Sequence, residues 1–248
     1  MLFPVKSACT RNRREVLRDE AADVRYRDRS ARGGACRRRI IGPKEAMPYP
    51  PAAEVLDYEL ELAAVIGREA HDTTEADRLS AIADFTILDD WSARDLQRDE
   101  MAVNLGLAKG KDFCTSLGPW VVTTDELVPF IKDGRLAVRC TFRVNGEPWM
   151  DGDGGTMHHT WGQPVERASH DSRIVPGDVL GSGTVGGGTV GEAIALGYPA
   201  RYLHPGDVVE LEVEGIGALR NTVAPKRDPD PTYRYHAPAV GTPAPASR

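Results

Sequence analysis

The chain has 248 residues and a formal net charge of −6, a length that suits one well-buried domain with a short appendage. No apolar run reaches the roughly 18 residues of a membrane span, and the apolar opening is too short for a secretory signal. We therefore expect a cytoplasmic protein with no membrane partner. Four scattered cysteines without a Cys-x-x-Cys pair favour free thiols over a zinc or dithiol site.

The amino-terminal segment differs in charge from the rest of the chain. Residues 1–39 hold twelve Lys or Arg and only five Asp or Glu, so the remainder is strongly acidic. The acids in this Arg-rich segment argue against a mitochondrial presequence, and the acidic body disfavours nucleic acid as a partner. The segment is poor in large apolar side chains, and the sequence leaves open whether it is ordered.

The composition divides the remaining chain into two parts. Residues 40–225 alternate apolar runs with Gly, Pro and Asn turns and are predicted to form the folded catalytic domain. Residues 226–248 are rich in proline, which blocks ladder hydrogen bonds, so we expect a disordered tail.

Strand signals outnumber helix signals in the predicted domain, which indicates a β-rich α+β fold. Strands are predicted at 58–67, at 85–88 as the end of a buried strand, and at 118–124, 136–149 and 207–215. Asn145-Gly146 predicts a hairpin turn, and Pro-Gly-Asp at 176–178 and at 205–207 predicts turns that lead into strands. Short helices are predicted at 73–83, capped by Thr73 or Thr74, and at 90–101, begun by Asp90.

Two glutamates share one face of the predicted strand at 58–67. Glu59 and Glu61 are two residues apart, so their side chains point the same way, roughly 7 Å from each other. The same alternation occurs in Glu210, Glu212 and Glu214, where a solvated strand face explains it. Glu59 and Glu61 therefore lie either on a solvated face or around a cation.

The segment after the next predicted strand carries three polar groups at helical spacing. Asp90, Arg94 and Gln97 stand at i, i+4 and i+7, so a helix would present one carboxylate, one guanidinium and one amide on one face. A capping Asp90 with an exposed ion pair to Arg94 explains the spacing equally well.

Two further segments carry candidate groups. Lys111 follows a glycine and leads into an apolar strand, where it could serve an anionic intermediate or be a solvated surface lysine. Residues 181–190 hold five glycines and Thr184, which suits close ligand approach or a plain turn. No dinucleotide or P-loop fingerprint, serine-hydrolase elbow or zinc-protease helix occurs in the sequence.

Taken in order, five segments closely resemble the fumarylacetoacetate hydrolase family over about residues 40–223: DYELELAAVIG, DDWSARDLQ, GKDFCTSLGPW, VLGSGTVGG and LHPGDVVELEVEGIGALRNTV. The resemblance implies a mixed β-roll or sandwich with few short helices, usually as a homodimer. It places the divalent-metal ligands on Glu59, Glu61 and Asp90. Three carboxylates without a nitrogen or sulfur ligand favour Mg²⁺, Mn²⁺ or Ca²⁺.

The resemblance also assigns roles around that metal. Lys111 and Arg94 match catalytic positions, Lys111 as a charge at the oxyanion and Arg94 as the group that orients a carboxylate. The substrate-binding positions fall on Gln97, Thr115 and Thr184.

The implied activity is metal-dependent hydrolysis of a carbon–carbon bond in a β-dicarbonyl or acylpyruvate-type acid, through a metal-stabilised enolate, as in aromatic-compound catabolism. Decarboxylation, hydration or isomerisation of a 2-keto acid is the alternative, and so is a catalytically impaired binding or scaffold protein. Family hydrolases take their general base from a histidine upstream of the acidic pair, whereas the first histidine here is His71. That departure favours the impaired protein.

Overall fold

Strands dominate the computed structural model, which describes residues 7–8, 23–26, 36–73, 79–102 and 107–228. The strands of this part of the chain are β1 (Ser7–Ala8), β2 (Asp23–Tyr26), β3 (Cys36–Ile41), β4 (Ala46–Met47), β5 (Leu56–Asp57), β6 (Leu60–Ile66), β7 (Ala70–His71), β8 (Ile82–Asp89), β9 (Ser92–Ala93), β10 (Thr115–Thr123), β11 (Ile131–Lys132), β12 (Arg135–Leu136), β13 (Arg139–Val144), β14 (Glu147–Asp153), β15 (Arg173–Ile174), β16 (Val179–Thr184), β17 (Val208–Val213) and β18 (Gly217–Val223).

The helices of the described residues are short. The α-helices are α1 (Arg94–Ala102), α2 (Thr124–Leu127), α3 (Gly162–Ser169) and α4 (Val190–Ala195). Single 3-10 turns occur at Leu79–Ala81, Val128–Phe130 and Gly154–Thr156. None of these helices has the length and apolar character that a membrane crossing requires.

Two large sheets organise the strands. The first has seven strands in the order β1-β16-β6-β8-β10-β3-β2, and the second has five in the order β14-β13-β17-β18-β4. Three two-stranded ribbons, β11-β12, β15-β7 and β5-β9, complete the set among the described residues. In the seven-stranded sheet, β6 and β8 are central and antiparallel, and β10 pairs antiparallel with β8 but parallel with β3.

The main core lies between the two sheets. Leu60 and Leu62 of β6 belong to one buried cluster with Phe142 of β13 and Leu211 of β17. Along β13 buried Cys140, Phe142 and Val144 alternate with more accessible polar residues, because one face of that sheet packs inward and the other meets water. This arrangement confirms the predicted β-rich α+β fold of mixed sheets with few short helices.

The seven-stranded sheet is buried on its other face as well. Ala63 and Val65 of β6 form a second cluster with Leu117 of β10 and Val179 of β16, strands of the same sheet. Glu61 occupies the same face of β6, two residues before Ala63, and only 7% of its surface is exposed. A solvated strand face is therefore excluded as the explanation for Glu61.

Most predicted strands and turns are confirmed. The predicted strands correspond to β6, β8, β10, the β13-β14 hairpin and β17. At the hairpin turn, Asn145 and Gly146 have φ of 55° and 84°, the left-handed conformations that this turn needs. Gly177 and Gly206, in the Pro-Gly-Asp turns, have φ of 96° and 91° and precede β16 and β17 as expected.

Both predicted helices need correction. The second begins at Arg94 rather than Asp90, because Ser92 and Ala93 pair with Asp57 and Leu56 as the β9-β5 ribbon. Of the first, residues 74–78 lie outside the described residues and 79–81 form a single 3-10 turn. Its last two residues belong instead to β8, where Ile82 pairs with Ile66 of β6.

The domain boundaries at residues 40 and 225 stay predictions. Within the Arg-rich segment the structure describes β1, β2 and the start of β3, which join the seven-stranded sheet. Two cysteines described with side chains, Cys114 and Cys140, are buried free thiols as expected. Burial raises the pKa of both thiols, that of Cys140 to about 12.

Candidate metal centre

Three acidic residues meet at one end of the central strand pair. Glu59 directly precedes β6, Glu61 lies within it, and Asp90 directly follows the antiparallel strand β8. Each residue offers a carboxylate oxygen, and these oxygens all lie within 4.8 Å of one another. The sheet register causes this convergence, since Leu60 pairs with Asp89 across the two strands.

The three acids are shielded from water. Asp90 is 2% exposed, and the side chain of Glu59 is 13% exposed. Carboxylates this close repel one another strongly in a poorly hydrated site, so positive charge must compensate them. Two cationic side chains of the protein supply part of that charge.

Lys111 is the first of these cations. Its Nζ lies 2.6 Å from Oε2 of Glu59 and 3.0 Å from Oδ2 of Asp90, and the residue is 3% exposed. Burial alone would lower the pKa of Lys111, but the carboxylates of Asp90 and Glu59 outweigh burial and raise it above its ordinary value. Lys111 is therefore a charged ammonium directly beside the acidic cluster.

Arg94 is the second cation, at the start of α1. Its Nη1 donates to Oε1 of Glu59 at 2.7 Å and to Oε1 of Gln97 at 3.2 Å. Its Nε and Nη2 both lie 2.8 Å from Oδ2 of Asp57. Burial alone would raise the pKa of Glu59, but Lys111 and Arg94 outweigh burial and hold that pKa below its ordinary value.

Gly181 of β16 makes room for the carboxylate of Glu61. A Cβ atom at this position would lie 2.1 Å from Oε2 of Glu61, a distance that no side chain tolerates. Beyond Gly181 the register of β16 shifts, and Thr184 pairs with Glu61. Ser182, within the shift, accepts the backbone N–H of Leu62 through its hydroxyl at 3.1 Å.

The segment that carries Lys111 is anchored on α1. The Gln97 side chain donates to the carbonyl of Gly110 at 3.0 Å, and a Cβ on Gly110 would lie 2.5 Å from Cγ of Gln97. The carboxylate of Glu100 accepts the backbone N–H groups of Ala108, Lys109 and Gly110. Close approach and hydrogen bonds thus fix the backbone from which Lys111 extends.

Thr115 begins β10 at the same end of the sheet. The next residue, Ser116, pairs with Asp89, which places Thr115 beside the point where β8 ends. The hydroxyl of Thr115 is buried and has no hydrogen-bond partner among the residues that the structure describes. A buried hydroxyl of this kind is suited to accept or donate to a bound ligand or water.

The donor set fits a hard divalent cation. Oxygens that share one ion at about 2.0–2.6 Å lie at most about 4–5 Å apart, which agrees with the 4.8 Å limit found here. Three carboxylates and no nitrogen or sulfur donor match Mg²⁺, Mn²⁺ or Ca²⁺. Glu59, Glu61 and Asp90 would hold the ion, with Gly181 leaving the space that Glu61 needs.

Two buried acids beside the acidic cluster were not predicted from the sequence. Asp57 is 0% exposed and binds Arg94, and Asp89 is 1% exposed and accepts the N–H of Glu59 at 3.0 Å. Burial raises the pKa of Asp57 despite Arg94, and raises that of Asp89 well above its ordinary value. The sequence did carry a signal for Asp57, because it stands two residues before Glu59 in the same alternation.

A family comparison agrees with this geometry. The model of the fumarylacetoacetate (FAA) hydrolase C-terminal domain matches residues 35–224, which include every residue of the site. The chain belongs to the fumarylacetoacetate hydrolase family.

Family relatives carry several activities in their names. Oxaloacetate tautomerase FAHD2A, mitochondrial, from Homo sapiens is 33% identical over 184 residues, covering 74% of this chain and 55% of that protein. The 5-carboxymethyl-2-hydroxymuconate delta-isomerase structure from Mycobacterium smegmatis has 35% identity and a TM-score of 0.61, covering 76% and 66% of the two chains. Fumarylacetoacetate hydrolase from Exiguobacterium antarcticum has 30% identity and a TM-score of 0.65, covering 76% and 65%.

The chain thus spans between about half and two thirds of the length of these family relatives. The structure brings together Glu59, Glu61 and Asp90 with Lys111 and Arg94. The individual roles, including substrate binding by Gln97, Thr115 and Thr184, stay predictions. All the histidines that the structure describes have exposed side chains, namely His71, His158, His159, His170 and His204.

Proposed function

We propose that the chain is a divalent-metal-dependent enzyme that acts on a small keto or β-dicarbonyl acid. The observation that carries the proposal is the convergence of the Glu59, Glu61 and Asp90 carboxylates within 4.8 Å, directly beside the Lys111 ammonium. A bound Mg²⁺, Mn²⁺ or Ca²⁺ ion would supply positive charge that polarises oxygens of the substrate.

Lys111 would add a second positive charge at the same place. Its raised pKa keeps the ammonium protonated, so it serves as a fixed charge rather than as a base. Burial strengthens its effect, because a charge in a poorly hydrated site acts on a neighbouring oxygen with little screening. Lys111 would thus stabilise negative charge that develops on a substrate oxygen.

Two threonines would complete the substrate site. The buried hydroxyl of Thr115 has no partner among the described residues, so a substrate oxygen could satisfy it. Thr184 stands opposite Glu61 at the end of β16, where the glycine-rich segment begins. We expect these hydroxyls to orient the substrate next to the acidic cluster.

Keto–enol interconversion of a 2-keto acid is the reaction that the site supports best. This reaction moves a proton between carbon and oxygen, and its barrier falls when negative charge on the oxygen is stabilised. The site offers such stabilisation, and the reaction consumes no water. The tautomerase and isomerase named among the relatives support this choice.

Hydrolysis of a carbon–carbon bond in an acylpyruvate-type acid is the second candidate. The family model and the Exiguobacterium structure both carry hydrolase names. Hydrolysis needs a base that activates water, and the exposed histidines of the described chain offer no obvious one. Decarboxylation and hydration of a 2-keto acid also need stabilisation of negative charge on a substrate oxygen. Any of these substrates would suit a role in aromatic-compound catabolism.

The test is a side-by-side assay of the purified full chain. Oxaloacetate tautomerisation and acylpyruvate cleavage are followed by ultraviolet absorbance, with Mg²⁺ or Mn²⁺ and with a chelator. We expect metal-dependent turnover that Glu59→Gln and Asp90→Asn each reduce more than about 100-fold in kcat/KM. Glu210→Gln on β17 is the matched control, because Glu210, like Glu59, is a glutamate paired with an arginine.

The outcomes separate the candidates. Tautomerisation of oxaloacetate without cleavage of an acylpyruvate supports the tautomerase. Release of pyruvate from an acylpyruvate supports the hydrolase. Metal binding without turnover of any of these acids would instead support a binding or scaffold protein. Full activity in both acidic variants would contradict the proposed site.

We also propose a homodimer, as the family resemblance implies, and a cytoplasmic location, as expected from the sequence. Sedimentation velocity of the full chain measures the first directly. A monomer that turns over substrate would remove the dimer from the proposal and leave the metal site untouched.

A further inference from the structure

Asp57 is the most completely hydrogen-bonded carboxylate beside the acidic cluster. It is 0% exposed and lies at the end of β5, two residues before Glu59. Its Oδ1 accepts the N–H groups of Tyr58 and Val190, each at 2.8 Å. Its Oδ2 accepts Nε and Nη2 of Arg94, each at 2.8 Å.

The start of α4 fixes Asp57 in this position. Besides Val190, the N–H of Gly191 points to Oδ2 of Asp57 at 3.4 Å. Thr189 caps the same helix, and its hydroxyl accepts the N–H of Glu192 at 2.9 Å. Because these donors belong to the backbone, Asp57 cannot follow Arg94 if the guanidinium moves.

Arg94 is therefore shared between a fixed acid and a candidate metal ligand. Two of its nitrogens bind Asp57, while Nη1 binds Oε1 of Glu59 at 2.7 Å. A cation at Glu59 competes with this guanidinium for the same carboxylate. The strength of the Asp57–Arg94 interaction must then affect how tightly Glu59 binds a cation.

We propose that Asp57 is a positioning residue that sets the cation affinity of the acidic cluster by holding and neutralising Arg94. The inference rests on the proposed function, because it requires Glu59 to be a metal ligand. Asp57 directs two of the guanidinium donors away from Glu59 and cancels the positive charge that would repel an entering cation. Without Asp57, the positive charge of Arg94 would no longer be neutralised and would interact more strongly with Glu59.

The first experiment is Mn²⁺ titration of the full chain by calorimetry. Asp57→Asn is expected to weaken Mn²⁺ binding about tenfold, which corresponds to about 1.4 kcal/mol. Asp207→Asn is the matched control, because Asp207 is also a buried acid that binds an arginine twice and accepts a backbone N–H. It stands before β17 in the other sheet, so Mn²⁺ affinity should stay within about twofold.

The second experiment removes the guanidinium. Arg94→Gln frees Oε1 of Glu59, while Lys111 keeps its contact with Oε2, and it takes one positive charge from the site. Mn²⁺ binding is therefore expected to strengthen about threefold or more. In the double variant Asp57→Asn, Arg94→Gln the guanidinium is absent and Lys111 is unchanged, so affinity is expected to return at least to that of the unmodified chain. Recovery of this kind distinguishes positioning from a general loss of structure.

Each result decides the proposal. Unchanged affinity in Asp57→Asn, or a loss that persists in the double variant, would show that Asp57 only anchors α4. If Asp57→Asn does not fold, Arg94→Gln alone decides, and weaker or equal Mn²⁺ binding overturns the inference. Absence of Mn²⁺ binding by the unmodified chain overturns the proposed function as well, whereas an unchanged Asp57→Asn overturns this inference alone.

Discussion

Glu61 shows at the scale of one residue how a neighbour decides what a side chain can do. Its carboxylate is buried on an otherwise apolar strand face, in the space that Gly181 leaves open. Burial of a carboxylate costs several kcal/mol unless nearby positive charge or hydrogen bonds compensate it. Its position beside Glu59 and Asp90 is explained if the three carboxylates share a cation.

Gly181→Ala tests the space around Glu61. The added Cβ would lie 2.1 Å from Oε2 of Glu61, which is the mobile end of a side chain. The carboxylate should therefore move while the backbone stays, and we expect Mn²⁺ affinity to fall at least about tenfold with the fold retained. Calorimetry gives the affinity, and circular dichroism checks the fold.

Gly186→Ala is the control for that substitution. A Cβ on Gly186 would meet only Oγ1 of Thr156, at 4.0 Å, so Mn²⁺ affinity should change little. If Gly181→Ala binds Mn²⁺ as tightly as Gly186→Ala, Glu61 is not a ligand.

The residue scale also shows what the sequence allowed and what it did not. Alternation placed Glu59 and Glu61 together, and the same alternation extends to Asp57. It could not show that Asp57 binds Arg94, because that contact joins residues 37 positions apart. Contacts of such sequence separation depend on the folded topology, which local patterns do not specify.

At the scale of elements, strands with period-two alternation were predictable and helix starts were not. β13 and β17 each bury every second residue. Their alternating sequence pattern follows because one face of the strand meets the core and the other meets solvent. Asp90, Arg94 and Gln97 do stand at helical spacing, yet Asp90 precedes the helix. Pairing of β9 with β5 outweighs local helix preference at Ser92 and Ala93, and tertiary contact of this kind is absent from the sequence pattern.

The segment from 107 to 111 shows a second limit of local prediction. It holds one glycine, Gly110, directly before Lys111, and nothing in this pattern predicts the contact of the segment with α1. The Glu100 carboxylate accepts three consecutive N–H groups of this segment, from Ala108 to Gly110. The placement of Lys111 thus depends on α1, an element that the sequence predicts without predicting its contact.

Asp207 gives a prediction at the turn before β17. Burial opposes its ionisation, but hydrogen bonds from Arg201, from the N–H of His204 and from Asn145 outweigh burial and lower the pKa from 3.8 to about 2. The ionised form therefore stabilises the fold above about pH 4, and this stability is lost as the pH falls towards about 2. Asp207→Asn should lower the free energy of unfolding by about 1–3 kcal/mol at pH 7.

Urea unfolding of the two proteins at pH 7, 4 and 3 measures this difference. The difference should be largest at pH 7 and shrink between pH 4 and 3, because the Asp207 carboxyl of the unfolded chain, with its ordinary pKa of 3.8, then binds a proton while the native carboxyl is still mostly ionised. Asp151→Asn is the control, since the exposed pair of Asp151 with Arg139 contributes less than about 1 kcal/mol. A difference in the free energy of unfolding that does not change with pH would contradict the role of an ionised Asp207 in this turn.

At the scale of the whole molecule, the candidate site lies where four strands of one sheet end or begin. β6 and β10 begin there, and β8 and β16 end there. Both faces of this sheet are buried, and the charged groups of the candidate site converge at its end. Family resemblance could identify the residues, whereas their common location follows from the antiparallel order β16-β6-β8-β10.

With the same topology, cation binding to this cluster would contribute to folding. Glu59 directly precedes the central strand β6, Glu61 lies within it, and Asp90 follows the paired strand β8 about thirty positions later in the chain. The unfolded chain does not hold these carboxylates together, so an ion binds the native state preferentially. Mn²⁺ at about 100 times its Kd should then raise the free energy of unfolding by about 2.7 kcal/mol. Chemical unfolding with Mn²⁺ and with a chelator measures this, and Asp90→Asn should lose most of the gain; an equal gain in that variant would place the ion elsewhere.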